Sequence, residues 1–545
     1  MPVGDLDEKV IFYKEGMQRR DIPNDVTKVV FDPTATSIEA KAFLNCHNLK
    51  EVVLNVGLII IGEEAFRGCN LLERIKLPST VTQVHKEAFF SCSKLKEVVL
   101  NEGLQTIEDF AFHRCKSLAI IKLPSTVTEV GRGAFSECID LEEVLLIEGL
   151  KIIGEYAFSE CLSITIIKIP STVTEIGDDA FRYCEDLEEV VLNEGLSIIG
   201  RNAFEDCSSL TIIKLPSTVI EVGSGAFGGC TDLKKVELNE VLQRIGWGAF
   251  GQCKSLTSIT IPSTLTVIED HVFFKCESLT SIKIPSTVHE VGDYGFACCF
   301  NLKEVVIDEG LERIGRRAFL NCCSLESIRL PSNVTEIRQE AFRGCGSLKD
   351  VSLSEGLQSI IGFSAFRRCS SLENVKFPSI SNRVKNLLWA GHPGIQGKLA
   401  SMQLFEWRED DLLVSTEAIN DGSWCNNWAA TRRHLDHALS LISYYELKEA
   451  TSTIELAMWK ARIEEVGAVT LDQRSSCRVD VPGPAKDAIL QYLKHGEDLL
   501  DNAEEGGDTR GYYSQDSSSS LSSSPSSSED SDEVESSTDD DSSDV

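Results

Sequence analysis

Nineteen of the 545 residues are cysteine. A thiol can ligate a metal, form a disulfide or, once ionised, act as a nucleophile. Fifteen of the nineteen stand in strict order. Cys46, Cys69, Cys92, Cys115, Cys138, Cys161, Cys184, Cys207, Cys230, Cys253, Cys276, Cys299, Cys322 and Cys345 fall 23 residues apart, and Cys369 follows after 24. A metal site needs two to four ligands converging on one point. A thiol that returns once per 23 residues instead forms a line. The expected state of these fifteen is buried, protonated and inert. Cys298 and Cys323 stand beside members of the line and are the expected accessible thiols. A disulfide framework belongs to short exported domains, which this long chain does not resemble.

Other reactive types are sparse. His434 and His437 are three apart on an expected helix, with Cys425 nearby. They lack the further converging ligand a metal requires, so a solvated or capping pair is expected. Cys477 with either histidine could mimic a thiol nucleophile pair, but no surrounding motif supports it. Trp424, Trp428 and Trp459 are expected in a core rather than as ligand platforms. No phosphate loop, dinucleotide fingerprint, nucleophile elbow or kinase signature occurs. No catalytic residue, metal site or cofactor is therefore assigned.

What positions the cysteines is a repeat. Every one of the fifteen has Phe three residues before it, and thirteen have Ala before that Phe; Val272 and Gly295 are the exceptions. In one unit the apolar columns are Leu72, Ile75, Leu77, Val81, Val84, Ala88, Phe89 and Cys92. The Leu-x-x-Ile-x-Leu part alternates as a strand with one buried face would. Pro or Gly then ends the extended run. A second short extended piece follows, and Ala-Phe-x-x-Cys closes the coil. One such coil cannot bury its apolar face alone, so coils must stack. Fifteen at about 4.8 Å each would make a rod or arc on the order of 70 Å long. "LPST" coils and "EG" coils alternate, giving a longer period of 46 residues, with Pro78, Pro124, Pro170, Pro216 and Pro262 marking one type and Gly57, Gly103, Gly149 and Gly195 the other. Two turn chemistries are all this alternation is expected to need. It breaks where Pro262 is followed by Pro285.

The unit Leu-x-x-Ile-x-Leu-Pro-x-x-Val-x-x-Ile-Gly-x-x-Ala-Phe-x-x-Cys resembles the BspA-like leucine-rich repeat, over about Val26 to Phe377. That resemblance implies a right-handed, curved solenoid with a parallel sheet along its concave side. It also implies binding to other proteins rather than catalysis. Bacterial members are exported adhesins, which makes cell-surface adhesion one alternative here. An extra residue between Leu357 and Ile361 departs from the pattern and suggests a bulge.

Function should lie on the strand positions flanking the buried Ile. One column reads Lys76, Val99, Lys122, Leu145, Lys168, Val191, Lys214 and Glu237; its neighbour reads Arg74, Glu97, Ile120, Glu143, Ile166, Glu189, Ile212 and Lys235. Val99, Ile120, Leu145, Ile166, Val191 and Ile212 thus form a zigzag apolar stripe, with Lys122, Lys168 and Lys214 on one side and Glu97, Glu143 and Glu189 on the other. Two readings are open. One takes the stripe as β-favouring residues with charges that pair across strands for solubility. It also fits a docking surface with an apolar centre and a charged rim. The candidate partner-binding set is Lys76, Val99, Ile120, Lys122, Leu145, Ile166, Lys168, Val191, Ile212 and Lys214. Phe110, Tyr156, Trp247, Tyr294 and Phe363, two or three places before the repeat Phe, are expected as surface packing or as a second binding edge.

Residues 1–25, with Val10, Ile11, Phe12 and Tyr13, suit an N-terminal cap, and residues 26–381 the solenoid, closed by a last strand through Leu372, Val375 and Phe377. Residues 382–500 lose the period and show helical spacing, as at Leu435, Ala438, Leu439, Ile442 and Tyr445. Their "SYYELKEAT", "IELAMWKARI" and "VPGPAKDAILQYL" are similar to segments of predicted leucine-rich-repeat proteins of diatoms, which the whole chain resembles. That likeness implies no activity. The alternative enzyme, a hydrolase or transferase, would have its site in this region. Residues 501–545 carry 14 acidic residues against Arg510 alone, and so supply −13 of the net charge of −32. This Ser/Asp/Glu-rich tail is expected to be disordered, as a solubilising brush or as a phosphorylatable lure for a basic partner.

The remaining −19 argues against nucleic acid and anionic membrane surfaces, which need Lys and Arg. No apolar run approaches a membrane span. The opening "MPVGDLDEKV" lacks a signal-peptide pattern. The expectation is a monomeric, non-catalytic scaffold in the cytoplasm or nucleus, binding a protein partner through the strand face.

Overall fold

The computed structural model describes residues 9–353, 360–362, 364–376, 405–408, 411–414, 433 and 436–446. Within it the chain winds as a β-solenoid whose strands pair in parallel, one coil to the next. Each typical coil supplies two strands. The first is three residues long, as in Arg74–Lys76, Glu97–Val99, Ile120–Lys122 and Glu143–Leu145. Its middle residue is buried and its flanks face solvent, because successive strand side chains point to opposite faces. The second strand has two residues, and these form an unbroken ten-stranded sheet from Ser37–Ile38 to Arg244–Ile245. Pairing advances by one repeat, as in Ile121↔Val144 and Val130↔Ile153.

The Ala-Phe-x-x-Cys corner sets the axial spacing. From Phe43 to Phe250 the repeat rings stack within 8° of parallel, with centroids 5.0–5.5 Å apart. These separations lie in the offset-stacked range that ring quadrupoles favour. From Phe43 to Phe342 each repeat Phe N–H donates to the carbonyl of the residue in the Ala slot one coil on, at 2.7 Å for Phe43–Ala65 and 2.8 Å for Phe158–Ala180. The residue before Ala and the residue before Cys take positive φ, and the non-glycine residues there lie between 50° and 64°. Such backbone costs on the order of 1 kcal/mol or more per residue. It persists because it turns those N–H groups toward the next coil, as in Lys41 to Glu63 O at 2.8 Å and Asn45 to Arg67 O at 2.7 Å.

The two turn types are partners rather than interchangeable punctuation. Within a 46-residue pair the first strands match over three residues, as in Arg74–Lys76 with Glu97–Val99 and Ile166–Lys168 with Glu189–Val191. Between pairs the match shrinks to one residue, Glu97↔Ile120 or Glu189↔Ile212, and Glu143–Leu145 and Ile166–Lys168 fall in separate sheets. Side chains bridge these junctions. The Glu148 carboxylate accepts Ser171 N–H and Oγ–H, both at 3.0 Å, while Thr172 Oγ1 donates to Leu150 O at 2.6 Å and accepts Gly149 N–H at 3.0 Å. Glu102 with Ser125, Glu194 with Ser217 and Glu309 with Ser332 repeat the clasp. The Ser171 N–H holds the Glu148 carboxyl below its usual range, and the Ser217 N–H does the same for Glu194. Glycine is required beside the clasp: φ is +114° at Gly149, and a Cβ there would sit 2.6 Å from Ser125 O.

A discontinuity falls where Pro262 is followed by Pro285. The coil between has no pair mate, and its first strand reduces to a single bridge, Lys235↔Ser258. The ten-stranded sheet stops at Ile245, and a separate five-stranded sheet starts at Val267–Ile268. Val272 is buried in an Ala slot here. Phe250 and Phe273 are 6.0 Å apart, and the Phe250 N–H reaches Val272 O at 3.0 Å. Val241 replaces the clasp glycine, and Glu240 meets Ser263 only at 3.4–3.5 Å.

At the N-terminal end, Val10–Tyr13 pairs in parallel with Lys28–Phe31. Tyr13 is buried against Phe31 and Phe43, at centroid distances of 4.6 and 5.5 Å, and its hydroxyl accepts Glu39 N–H. The extra residue near Leu357 is absorbed by an offset of 24, Ile337↔Ile361. Beyond Asn374–Lys376 the expectation of helix meets a correction. Phe405–Arg408 and Asp411–Val414 form an antiparallel hairpin that joins the last solenoid strand at Lys376↔Leu413. Aromatic and branched residues in both segments favour strand there. A helix does span 436–446, with Ala438, Leu441 and Ile442 buried. The tail, His434, Leu435, Cys425, Cys477, Phe363, Phe377 and the three C-terminal tryptophans named above lie outside the described residues.

Truncating Phe158 to Ala should cost about 3–5 kcal/mol in urea denaturation, while Ile120→Ala on the outer face should stay within about 0.5 kcal/mol. Equal losses would contradict the inward placement of the phenylalanines.

Candidate protein-binding face

All ten candidate residues lie on the outward side of the first strands. Ile120, Leu145, Ile166 and Ile212 are 41–52% exposed, which is high for large aliphatics on a sheet, and Val99 and Val191 are half-buried. Lys76, Lys122, Lys168 and Lys214 are exposed. The register fixes the zigzag: Ile120 lies opposite Glu143 and Lys122 opposite Leu145, then Ile166 opposite Glu189 and Lys168 opposite Val191. Apolar and charged positions therefore trade columns at each step.

The charges are mostly unspent. Glu97 lies 3.5 Å from Arg74, and Lys214 reaches Glu237 at 3.8 Å. Among the described residues, Lys122, Lys168, Glu143 and Glu189 make no ion pair. A solubility ladder would pair these groups across strands. Here Lys122 faces Leu145 and Lys168 faces Val191 in their own column instead.

The aromatics before the repeat Phe are engaged. Phe110 stands edge-on to His113 at 5.6 Å, and Arg132 lies 5.4 Å over Tyr156. Trp247 packs on His271 at 5.0 Å, which stacks on Tyr294 at 4.7 Å. Desolvation keeps both imidazoles below the ordinary histidine range.

The cysteine line is structural, with a role beyond filling space. In each coil from Cys69 to Cys369 the thiol donates to the carbonyl of the preceding coil's repeat Phe, at 3.1–3.3 Å. In most coils that same oxygen accepts the N–H of its own coil's Cys, as Phe43 O does from Cys46 at 3.1 Å. A buried carbonyl thus gains a second donor without a strongly polar side chain. Burial pushes the Cys92, Cys138 and Cys184 thiols up to about 12. Cys298 is half-buried and Cys323 exposed. A cleft of about 260 Å³ is lined by Lys86, Glu108, Asp109 and Glu129. Its carboxylates hold turns: Glu108 accepts Lys86 N–H and contacts His85 Nδ1 at 2.8 Å, and Asp109 accepts Arg132 N–H. Among the described residues, no three His, Cys, Asp or Glu side chains are grouped to hold a metal, and no helix is long and apolar enough to cross a membrane.

Comparison with known proteins accords with this architecture. The model of the "BspA type Leucine rich repeat region" matches residues 23–142, 151–280 and 266–395. The chain belongs to the BspA-type leucine-rich repeat family. The BspA-type chain is 30% identical to a leucine-rich repeat protein from Bacteroides ovatus ATCC 8483, over 67% of its own length and 91% of that protein's, with a TM-score of 0.54. It is 28% identical to a leucine-rich cell surface protein from Faecalibacterium prausnitzii A2-165, over 52% and 79% of the two chains, with a TM-score of 0.34. No match was found among curated proteins. The BspA-type solenoid is generally a non-catalytic repeat scaffold.

Raised thiol pKa values link the ladder to pH. The unfolded thiols ionise first, near the ordinary 9.0, and the folded ones near 12, so the stability they contribute is complete below pH 9 and is lost as pH rises from there toward 12. Cys92, Cys138 and Cys184 should each forfeit on the order of 1 kcal/mol per pH unit in that window. Thermal melts should therefore fall steeply above pH 9, and mapped labelling of native protein at neutral pH should modify Cys323 and spare the ladder. Labelling along the ladder would contradict its burial.

Proposed function

We propose that this protein is a non-catalytic scaffold that binds a protein partner on the outer face of its first strands. The observation carrying the proposal is the exposed zigzag of Ile120, Leu145, Ile166 and Ile212 between rows of Lys and Glu, with Lys122 and Lys168 outside any ion pair among the described residues. Apolar centre with charged rim is the anatomy of a docking patch. Flexible charged groups that are unpaired beforehand can meet a partner without first breaking a bond. A cytoplasmic location belongs to the same reading, supported by a ladder whose thiols must stay reduced to donate.

The test is charge reversal at Lys122, Lys168 and Lys214 to Glu. Partner capture from cell extract should drop by about tenfold or more. Reversal of Lys94 and Lys116, exposed but off the strands, should leave it intact. The melting temperature should change little in either variant, since all five side chains are on the surface. Undiminished capture by the strand variant would overturn the reading.

A further inference from the structure

The face has a rhythm that restricts what can lie along it. Lys76, Lys122, Lys168 and Lys214 occur once per 46 residues, that is, once per two coils. Parallel strands stand about 4.8 Å apart, so like charges in this column recur at about 9.6 Å. Glu97, Glu143 and Glu189 repeat with the same step in the neighbouring column. A β-strand presents same-face residues about 6.7 Å apart, and no small multiple of that equals 9.6 Å. An α-helix returns to one face after seven residues, about 10.5 Å, and drifts sideways as it does so. A polyproline II helix has three residues per turn at about 3.1 Å each, which returns the same face every 9.3 Å or so. Over three lysines the mismatch is well under 1 Å, within the reach of a lysine side chain.

Resting on the docking reading, we propose that the face takes a proline-rich polyproline II segment of period three, laid along the solenoid axis. One position per turn is acidic and meets the Lys column. A second is basic and meets the Glu column. The third, proline, completes the turn away from the surface, and the aliphatic stems of the two charged positions lie over Ile120, Leu145, Ile166 and Ile212. Two of the three edges of such a helix contact a flat surface, which matches two charged columns of opposite sign. The ligand is extended before binding, so little backbone entropy is lost on docking.

The test uses the full chain and fluorescein-labelled synthetic peptides in fluorescence anisotropy. The probe is a (Glu-Arg-Pro) repeat, compared with peptides of equal charge whose Glu residues recur every second or every fourth position, and with a shuffled peptide. The period-three peptide should bind about tenfold or more tightly than the others, and lose about that much on reversal of Lys122, Lys168 and Lys214. Equal binding by another period, still dependent on those lysines, overturns the three-residue match and leaves the face as the docking surface. Period-three binding indifferent to the lysine reversal overturns the proposal too, since the peptide then sits elsewhere. Binding by no peptide, when extract capture depends on the lysines, overturns the polyproline inference alone; with capture also unaffected, both readings fail.

Discussion

The carbonyl oxygen of the repeat phenylalanine is the point on which the solenoid depends. In most coils it accepts the Cys N–H of its own coil and the Cys thiol of the next, as Phe89 O does from Cys92 and Cys115. One buried acceptor therefore closes a turn and joins two turns. The same corner brings backbone against backbone through the Phe-to-Ala bond, which tolerates little more than a methyl group between coils. Val272 shows how narrow the tolerance is: two added methyls coincide with a ring spacing of 6.0 Å and an interruption in both strand ladders. Left-handed backbone at two positions per coil is the strain accepted to aim those donors along the axis.

The interior was legible in the sequence because its signal is local and periodic. Leu72, Ile75, Leu77, Val81, Val84, Ala88, Phe89 and Cys92 are all buried, as their spacing requires. The outward placement of Ile120 and Lys122 followed from strand alternation alone. What escaped was the interplay between coils. Glu148 and Ser171 look like two solvated turn residues 23 apart, and only stacking brings them into a hydrogen bond. The left-handed positions escaped because most are not glycine; Glu87, Phe110 and Tyr156 carry no local mark of positive φ. The thiol's role as a donor escaped because composition identifies cysteine only as small and apolar. The hairpin at 405–414 was hidden by its four-residue strands, too short for a periodicity to show.

The surface inherits its pattern from these internal needs. Clasps demand that glycine coils and proline coils alternate, and the outer residues alternate with them. Ile120 and Lys122 sit on one coil type, Glu143 and Leu145 on the other. The 46-residue unit is thus at once the unit of packing and the unit of display.

The unpaired coil around Phe273 has a consequence for that display. Two proline-type coils in succession move the surface by half a period, so Lys283 and Arg329 continue the cationic column out of step with Lys214 and its predecessors. In crystallographic language this is an antiphase boundary: identical motifs on both sides, displaced against each other. A rigid ligand locked to one side cannot keep its phase across the other. The stretch in phase, Lys76 to Lys214, spans six coil steps, about 29 Å. That length, about nine residues of an extended chain, is the longest run over which the N-terminal column keeps a single phase.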